Sequence, residues 1–196
     1  MRGHYKEFDV LRSFVKWDER TQRLIKDRMA SGEKVVFFSE QEQELLLAVL
    51  EVVLAEKDEK LLKRVAAYIG DSLGNGHGKG YRDAALPDEK DLFRKGLQGI
   101  VDTAHELYQG RDFSKLTLEE KIAVIESLKS GQGRGITWQS IDSKKFFKEL
   151  LTAAVSSFYS QPEIWSEIGY AGPAYPRGYV RVELGGQDPW EARKND

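Results

Sequence analysis

The side chains of this sequence best suited to proton transfer or metal ligation are its three histidines, His4, His77 and His105. A metal-binding helix needs two ligands on one face, four residues apart. No two of these histidines share such a spacing, and His105-Glu106 lacks the second histidine of that motif. Each reads as a solvated or locally bonded imidazole. With no cysteine in the chain, disulfides, thiolate metal sites, iron–sulfur ligation and cysteine nucleophiles are excluded. The serines are scattered, and the one Gly-x-Ser-x-Gly spacing, Gly70-Asp-Ser72-Leu-Gly74, lies in the run from Leu61 to Leu73 that keeps helical spacing, not on a strand-to-helix turn. Paired acids such as Glu119-Glu120 stand at a helix start, where the macrodipole accounts for them. The expectation is therefore that this chain carries no catalytic residue, binds no cofactor and holds no metal.

One glycine-rich stretch, Gly74-Asn-Gly-His-Gly-Lys-Gly80, invites comparison with a phosphate-binding loop. The P-loop pattern needs a glycine five residues before a Gly-Lys pair and Ser or Thr after it. Leu73 stands at the first position and Gly80 at the last. The dinucleotide pattern G-x-G-x-x-G fails as well, because Lys79 and Tyr81 occupy the final glycine positions. The stretch reads as a flexible connection between helices.

Composition narrows the classes further. A formal net charge of −2 leaves no broad basic field for nucleic acid or an anionic membrane surface. The longest apolar segment, residues 45–55, is interrupted by Glu51 and is too short to span a bilayer, so no direct membrane insertion is expected. The N-terminal run Met-Arg-Gly-His-Tyr-Lys-Glu-Phe-Asp-Val has no apolar core and no twin arginine. It is no signal peptide, and the chain as written is expected in the cytoplasm. Export bound to a partner that carries a leader would place it instead in the periplasm or cell envelope.

The elements that would position any functional group are helical. Residues 5–17 hold Phe8, Val10, Leu11, Phe14, Val15 and Trp17 in a short amphipathic segment. Asp18 is placed to cap a helix through Leu24 and Ile25. Ser39-Glu-Gln-Glu42 is a capping box, and the helix it opens, with Leu45, Leu46, Val49, Leu50, Val53 and Leu54, is dense enough in apolar residues to suggest the most buried one. Lys57-Asp-Glu-Lys60 is either a break or the polar face of a continuing helix. Leu61, Leu62, Val65, Ile69 and Leu73 keep helical spacing. Pro87-Asp88 opens a helix striped with Phe93, Leu97, Ile100, Ala104 and Leu107, beside which Gly96 and Gly99 suggest close approach of another element or a tolerated cost. Thr117-Leu-Glu-Glu120 is a second capping box. Asp142 caps a last helix that Pro162 stops. Residues 179–184 alternate like one strand without a mate. The class is all-α, a single domain of about six helices with an extended C-terminal arm.

That arm, residues 161–196 beyond a helical domain of residues 1–160, carries four of the five prolines: Pro162, Pro173, Pro176 and Pro189. Proline restricts both itself and the residue before it to extended geometry. Trp165, Tyr170, Tyr175, Tyr179 and Trp190 are set along it at close intervals. Disordered tails are poor in aromatics, so such a segment wraps over its own domain, over a partner, or both. Trp165 follows the last helix closely and is expected to be buried as a structural anchor, with Ile168 beside it. Tyr170, Pro173, Tyr175, Pro176, Arg177, Tyr179, Arg181, Asp188, Pro189 and Trp190 are the candidate partner-binding residues, since Tyr, Trp and Arg dominate interface hot spots.

Strings along residues 7–193 resemble the gluconate 2-dehydrogenase subunit 3 family. They are Phe8-Asp-Val-Leu, Trp17-Asp-Glu-Arg-Thr-Gln-Arg, Phe37-Phe-Ser-Glu-Gln-Glu, Gly80-Tyr-Arg-Asp, Phe93-Arg-Lys-Gly-Leu, Lys145-Phe-Phe-Lys-Glu-Leu-Leu and Tyr159-Ser-Gln-Pro. The most specific is Trp165-Ser-Glu-Ile-Gly-Tyr-Ala-Gly-Pro-Ala-Tyr-Pro-Arg-Gly-Tyr-Val-Arg, closed by Asp188-Pro-Trp-Glu-Ala. The resemblance implies a non-catalytic small subunit that stabilises or escorts a large flavoprotein dehydrogenase subunit. FAD would belong to that partner, and a cytochrome c subunit is a further candidate partner. Two departures stand out. The family's Ile-Pro and acidic turn is here Val53-Leu-Ala-Glu-Lys-Asp58, which puts a sharp turn in question, and the twin-arginine leader of many relatives is missing. Two other readings stay open: a helical adaptor for an unrelated partner, and a helical enzyme whose acids converge only in three dimensions. The purified chain is expected to show no flavin absorbance band; a yellow preparation near unit occupancy overturns that expectation.

Overall fold

The computed structural model describes residues 5, 7–30, 37–75, 83–176, 178 and 186–193. Among these residues there are seven α-helices and no strand, so the fold is all-α. In chain order the helices are α1 (Glu19–Ala30), α2 (Glu40–Leu54), α3 (Glu59–Gly74), α4 (Glu89–Leu107), α5 (Leu118–Lys129), α6 (Ser143–Phe158) and α7 (Pro162–Ile168). Short 3-10 helices occupy Val10–Lys16, Phe113–Lys115 and Ile136–Gln139. The alternating residues 179–184, and the glycine stretch from residue 76 onward, lie outside the described residues. The chain divides into two units: Gly32–Val155, and Met1–Ser31 together with Ser156–Asp196.

Helix starts follow the chemistry of their caps. Ser39 accepts from the Glu42 amide while the Glu42 carboxylate accepts from the Ser39 amide at 2.8 Å. Thr117 and Glu120 make the same reciprocal pair. Asp58 and Asp88 each accept two first-turn amides. Each satisfied donor would otherwise be an orphan at a helix end. The junction of α2 and α3 is a sharp break. Ala55 turns left-handed at φ 51°, and the Glu56 carboxylate accepts from the Lys57 and Asp58 amides at 2.7 and 2.9 Å. Glu56 is buried in doing so. A carboxylate that gathers successive amides makes the turn here without a proline.

Within residues 32–155, α2 packs on α3, α4 and α5, and α4 packs on α5 and on the 3-10 helix Ile136–Gln139. The expectation that α2 would be the most buried helix is not met. Only Leu46, Val49 and Leu50 of α2 are buried, against eight residues each in α3 and α4. Apolar density states a preference for leaving water, but burial also requires a neighbour that can come close. Helices α3 and α4 supply that with Ala66, Ala67 and Gly70, and with Gly96 and Gly99.

The last two glycines prove to be docking points for rings. A Cβ on Gly96 would lie 1.9 Å from Cε2 of Phe146, and one on Gly99 would lie 2.4 Å from Cζ2 of Trp138. Phe146 in turn packs edge-on to Phe93, with centroids 6.2 Å apart. The loop that delivers Trp138 is tied to α4 by side chains. The Thr103 hydroxyl, fully buried, accepts from Trp138 Nε1–H at 2.9 Å and from the Arg134 amide at 3.1 Å, and donates to the Gly99 carbonyl at 2.8 Å. Asp102 accepts from the Thr137 hydroxyl at 2.6 Å and from the Gln98 amide group at 2.9 Å. Partial burial alone would raise the Asp102 pKa, but these hydrogen bonds outweigh it and hold the carboxyl below its ordinary value. Gly96→Ala and Gly99→Ala are each expected to cost about 1–3 kcal/mol, the range for overpacked cores. Urea unfolding monitored by circular dichroism measures this; an unchanged midpoint for Gly96→Ala would show that Phe146 can move aside freely.

Candidate functional site

The arm and the N-terminal segment form their own unit. Two proline effects shape it. Pro162 does end the run of α6, but it then serves as first residue of a further helix, α7, where a missing N–H costs nothing. The arm therefore begins helical, and its extended course starts only after Gly169, which closes α7 in the left-handed region at φ 73°. Helix α7 places Trp165 inward, among Val10, Trp17 and Ile25, with Phe8, Leu11 and Phe14 packed around them. The indole Nε1–H donates to the Tyr159 carbonyl at 2.5 Å, and the Tyr170 ring meets the indole edge-on at 5.6 Å.

Further contacts lock the same surface from behind. The Val10 amide donates to the Ser166 hydroxyl at 3.2 Å, a bond between residues 156 apart in sequence. Beyond α7, Ala171 and Gly172 are buried. A Cβ on Gly172, whose φ is 79°, would lie 2.6 Å from Trp17 Cζ2. Near the end of the arm, the Asp188 amide donates to the Glu191 carboxylate at 2.6 Å, and Asp188 and Ala192 are buried. Pro189 and Trp190 line a small cleft with Phe8, Asp9, Arg12 and Lys16.

The candidate residues separate by environment. Trp165 is buried, at 5% exposure. Ile168, expected to be buried beside it, is instead 50% exposed. An i, i+3 spacing keeps it near the Trp165 face, but it is the last residue of α7, and Gly169 then turns the chain left-handed, leaving it at the open end of the helix. Tyr170 is 40% and Tyr175 68% exposed. Pro176 and Pro189 are exposed, Pro173 and Trp190 half-buried, and Asp188 buried. Arg177, Tyr179 and Arg181 lie outside the described residues. The structure thus brings Trp165 and Tyr170 together and presents Ile168, Tyr170, Tyr175 and Pro176 outward. The residues that sequence reasoning missed are Val10, Trp17 and Ser166. Their signal was the density of aromatics around Phe8 and Trp17, which periodicity alone could not pair with a segment more than 140 residues away.

The other unit contains an open cleft of about 890 Å³ between α2, α4 and the 3-10 helix Phe113–Lys115. Its floor includes Leu45, Leu97 and Phe113, and its rim carries both signs of charge. Arg94 lies over the Phe37 ring at 4.8 Å, donates to the Phe37 carbonyl at 3.3 Å and faces Glu42 at 4.0 Å. Lys115 donates to Asp112 at 2.7 Å, and His105 stands 3.4 Å from the same carboxylate. Lys115 first, then His105, holds the Asp112 carboxyl below its ordinary value. These are exposed pairs, worth little to stability. Among the described residues no three His, Asp or Glu side chains are grouped to hold a metal ion, and no helix is long and apolar enough to cross a membrane.

Strings that carried the family resemblance meet one another in space. Asp83 accepts from Lys145 at 2.9 Å, and Phe37 and Glu42 receive Arg94. The family model for gluconate 2-dehydrogenase subunit 3 matches residues 40–172. The chain belongs to the gluconate 2-dehydrogenase subunit 3 family. The match takes in α2 to α7 and the buried start of the arm, as far as Gly172. Searches of curated proteins and of solved structures found no match. Membership makes the chain a subunit type of a multi-subunit gluconate dehydrogenase complex. Trp165→Ala is expected to lower stability by about 3–5 kcal/mol, as for other buried aromatic truncations. Thermal unfolding followed by circular dichroism checks it, and a loss below about 1 kcal/mol would mean that Trp165 is not the anchor.

Proposed function

We propose that this subunit 3 family member is a non-catalytic small subunit that stabilises or escorts the large flavin-bearing subunit of a gluconate 2-dehydrogenase-type oxidoreductase, and that its C-terminal arm makes the contact. The observation that carries this reading is the two-sidedness of the arm. Its back is held by Trp165, Ala171 and Gly172, all buried, while Ile168, Tyr170, Tyr175 and Pro176 are turned outward. A rigid backbone that presents aromatic and apolar groups loses little conformational freedom on docking. Tyrosine offers large area with few rotatable bonds, the kind of side chain that supplies interface anchors.

Flavin and substrate chemistry would reside in the large partner. The sequence of this chain supports that division, since its glycine-rich stretch at residues 74–80 lacks both phosphate-binding patterns. Location follows the partner: a large subunit with an export leader would carry the complex to the periplasm or cell envelope. The adaptor reading keeps the same surface and changes only the partner's identity.

The test is capture of the co-expressed flavoprotein subunit by the Ile168→Ala, Tyr175→Ala double variant. Both side chains are exposed, so the melting temperature is expected to stay within a few degrees. Anchors of about 2 kcal/mol each would weaken capture by a factor on the order of a thousand in Kd. Unchanged capture by a folded double variant would remove the arm from the interface.

A further inference from the structure

We propose that residues 8–25 form a clasp that sets the course of the C-terminal arm, and that the clasp and arm open together as one local unit while helices α3 and α4 remain folded. As a statement about docking competence this rests on the reading of the arm given above; as a statement about the chain itself it does not.

Three contacts join the two ends of the chain, each of a different kind. The first is apolar: Val10, Trp17 and Ile25 enclose Trp165. The second is polar: the Val10 amide is satisfied by the Ser166 hydroxyl at 3.2 Å. The third is steric: Gly172 lies so close to Trp17 and Val10 that a Cβ would come within 2.6 and 3.1 Å of them. The arm's path from Trp165 to Gly172 is therefore defined by atoms from the other end of the chain. Loss of the clasp would uncover Trp165 on the side that Val10, Trp17 and Ile25 close.

The clasp is also thinly held. The 3-10 helix Val10–Lys16 buries only Val10, and α1 buries only Ile25. By contrast α3 and α4 bury eight residues each. Segments with few buried apolar side chains open at lower free energy than those with many. Because each end supplies what the other lacks, neither has reason to open alone. The unit that holds them is discontinuous in sequence, whereas Gly32–Val155 is continuous.

Hydrogen exchange of the full chain, read by mass spectrometry, tests this. In Trp17→Ala, the amides of Trp165 in α7 and of Tyr170 just beyond it, which donate to the Gln161 and Trp165 carbonyls, are expected to exchange at least about tenfold faster, while those of α4 keep their rates. Unchanged rates in α7, or equal acceleration in α7 and α4, overturns the proposal. Should that variant fail to fold, the unaltered chain in sub-denaturing urea answers the same question. Amides of α1 and α7 are expected to share one opening curve, distinct from that of α3 and α4. A curve common to all four helices, or separate curves for α1 and α7, overturns it. Capture of the flavoprotein is scored separately: a clasp that exchanges as proposed in a chain whose arm variants still capture the partner would refute the docking reading alone.

Discussion

Rings seated directly on glycine Cα atoms are the contact on which both units depend. Gly96 receives Phe146 and Gly99 receives Trp138 in one unit, and Gly172 receives Trp17 in the other. At each point a single added carbon would overlap the ring. Glycine weakens a helix by about 1 kcal/mol against alanine, and α4 bears that cost twice. In return two large aromatics come to rest on its backbone. The neighbouring network then falls into place: Thr103 receives the Trp138 indole, and Asp102 receives Thr137. A buried hydroxyl with its partners satisfied fixes the loop more narrowly than apolar packing alone would.

Among the described residues, many of the polar groups elsewhere terminate helices. Ser39, Asp58, Asp88, Thr117 and Asp142 satisfy first-turn amides, and Glu56 gathers two more at the α2–α3 break. The carboxylates with lowered pKa values follow the same logic. Asp83 is held down by Lys145, and Asp102 by Thr137 and Gln98 against the opposing effect of burial. The Lys145 and Thr137 bonds tie together segments that the chain separates by 62 and 35 residues.

Membership of the subunit 3 family gives the arm a context. Under the function proposed above, a small subunit would need a surface that is ordered before its partner arrives, and the two-sided arm has that character. Its apolar back is secured within its own unit, and its aromatic front remains open. The ends of the chain cooperate in this, because Val10 and Trp17 do for the arm what a continuous core does for the central helices.

Helices and their boundaries could be read from residue order wherever a cap or a break acts locally. The capping boxes at Ser39 and Thr117 and the caps at Asp18, Asp88 and Asp142 were all legible, because each interaction spans four residues or fewer. The family was legible too, from the aromatic, glycine and proline string after Trp165. The rest turns on residues far apart along the chain. Periodicity could not rank α2 below α3 and α4 in burial, since that depends on which neighbours can approach. It could not choose between cost and close approach at Gly96 and Gly99, because the rings that settle it lie some 40 to 50 residues away. It read Pro162 as an end when the residue is also a beginning, and it buried Ile168, which α7 turns to solvent. Nor could it join Val10 and Trp17 to Trp165 and Gly172. Local hydrogen bonds are encoded by neighbours in sequence, whereas packing partners are selected by the fold as a whole.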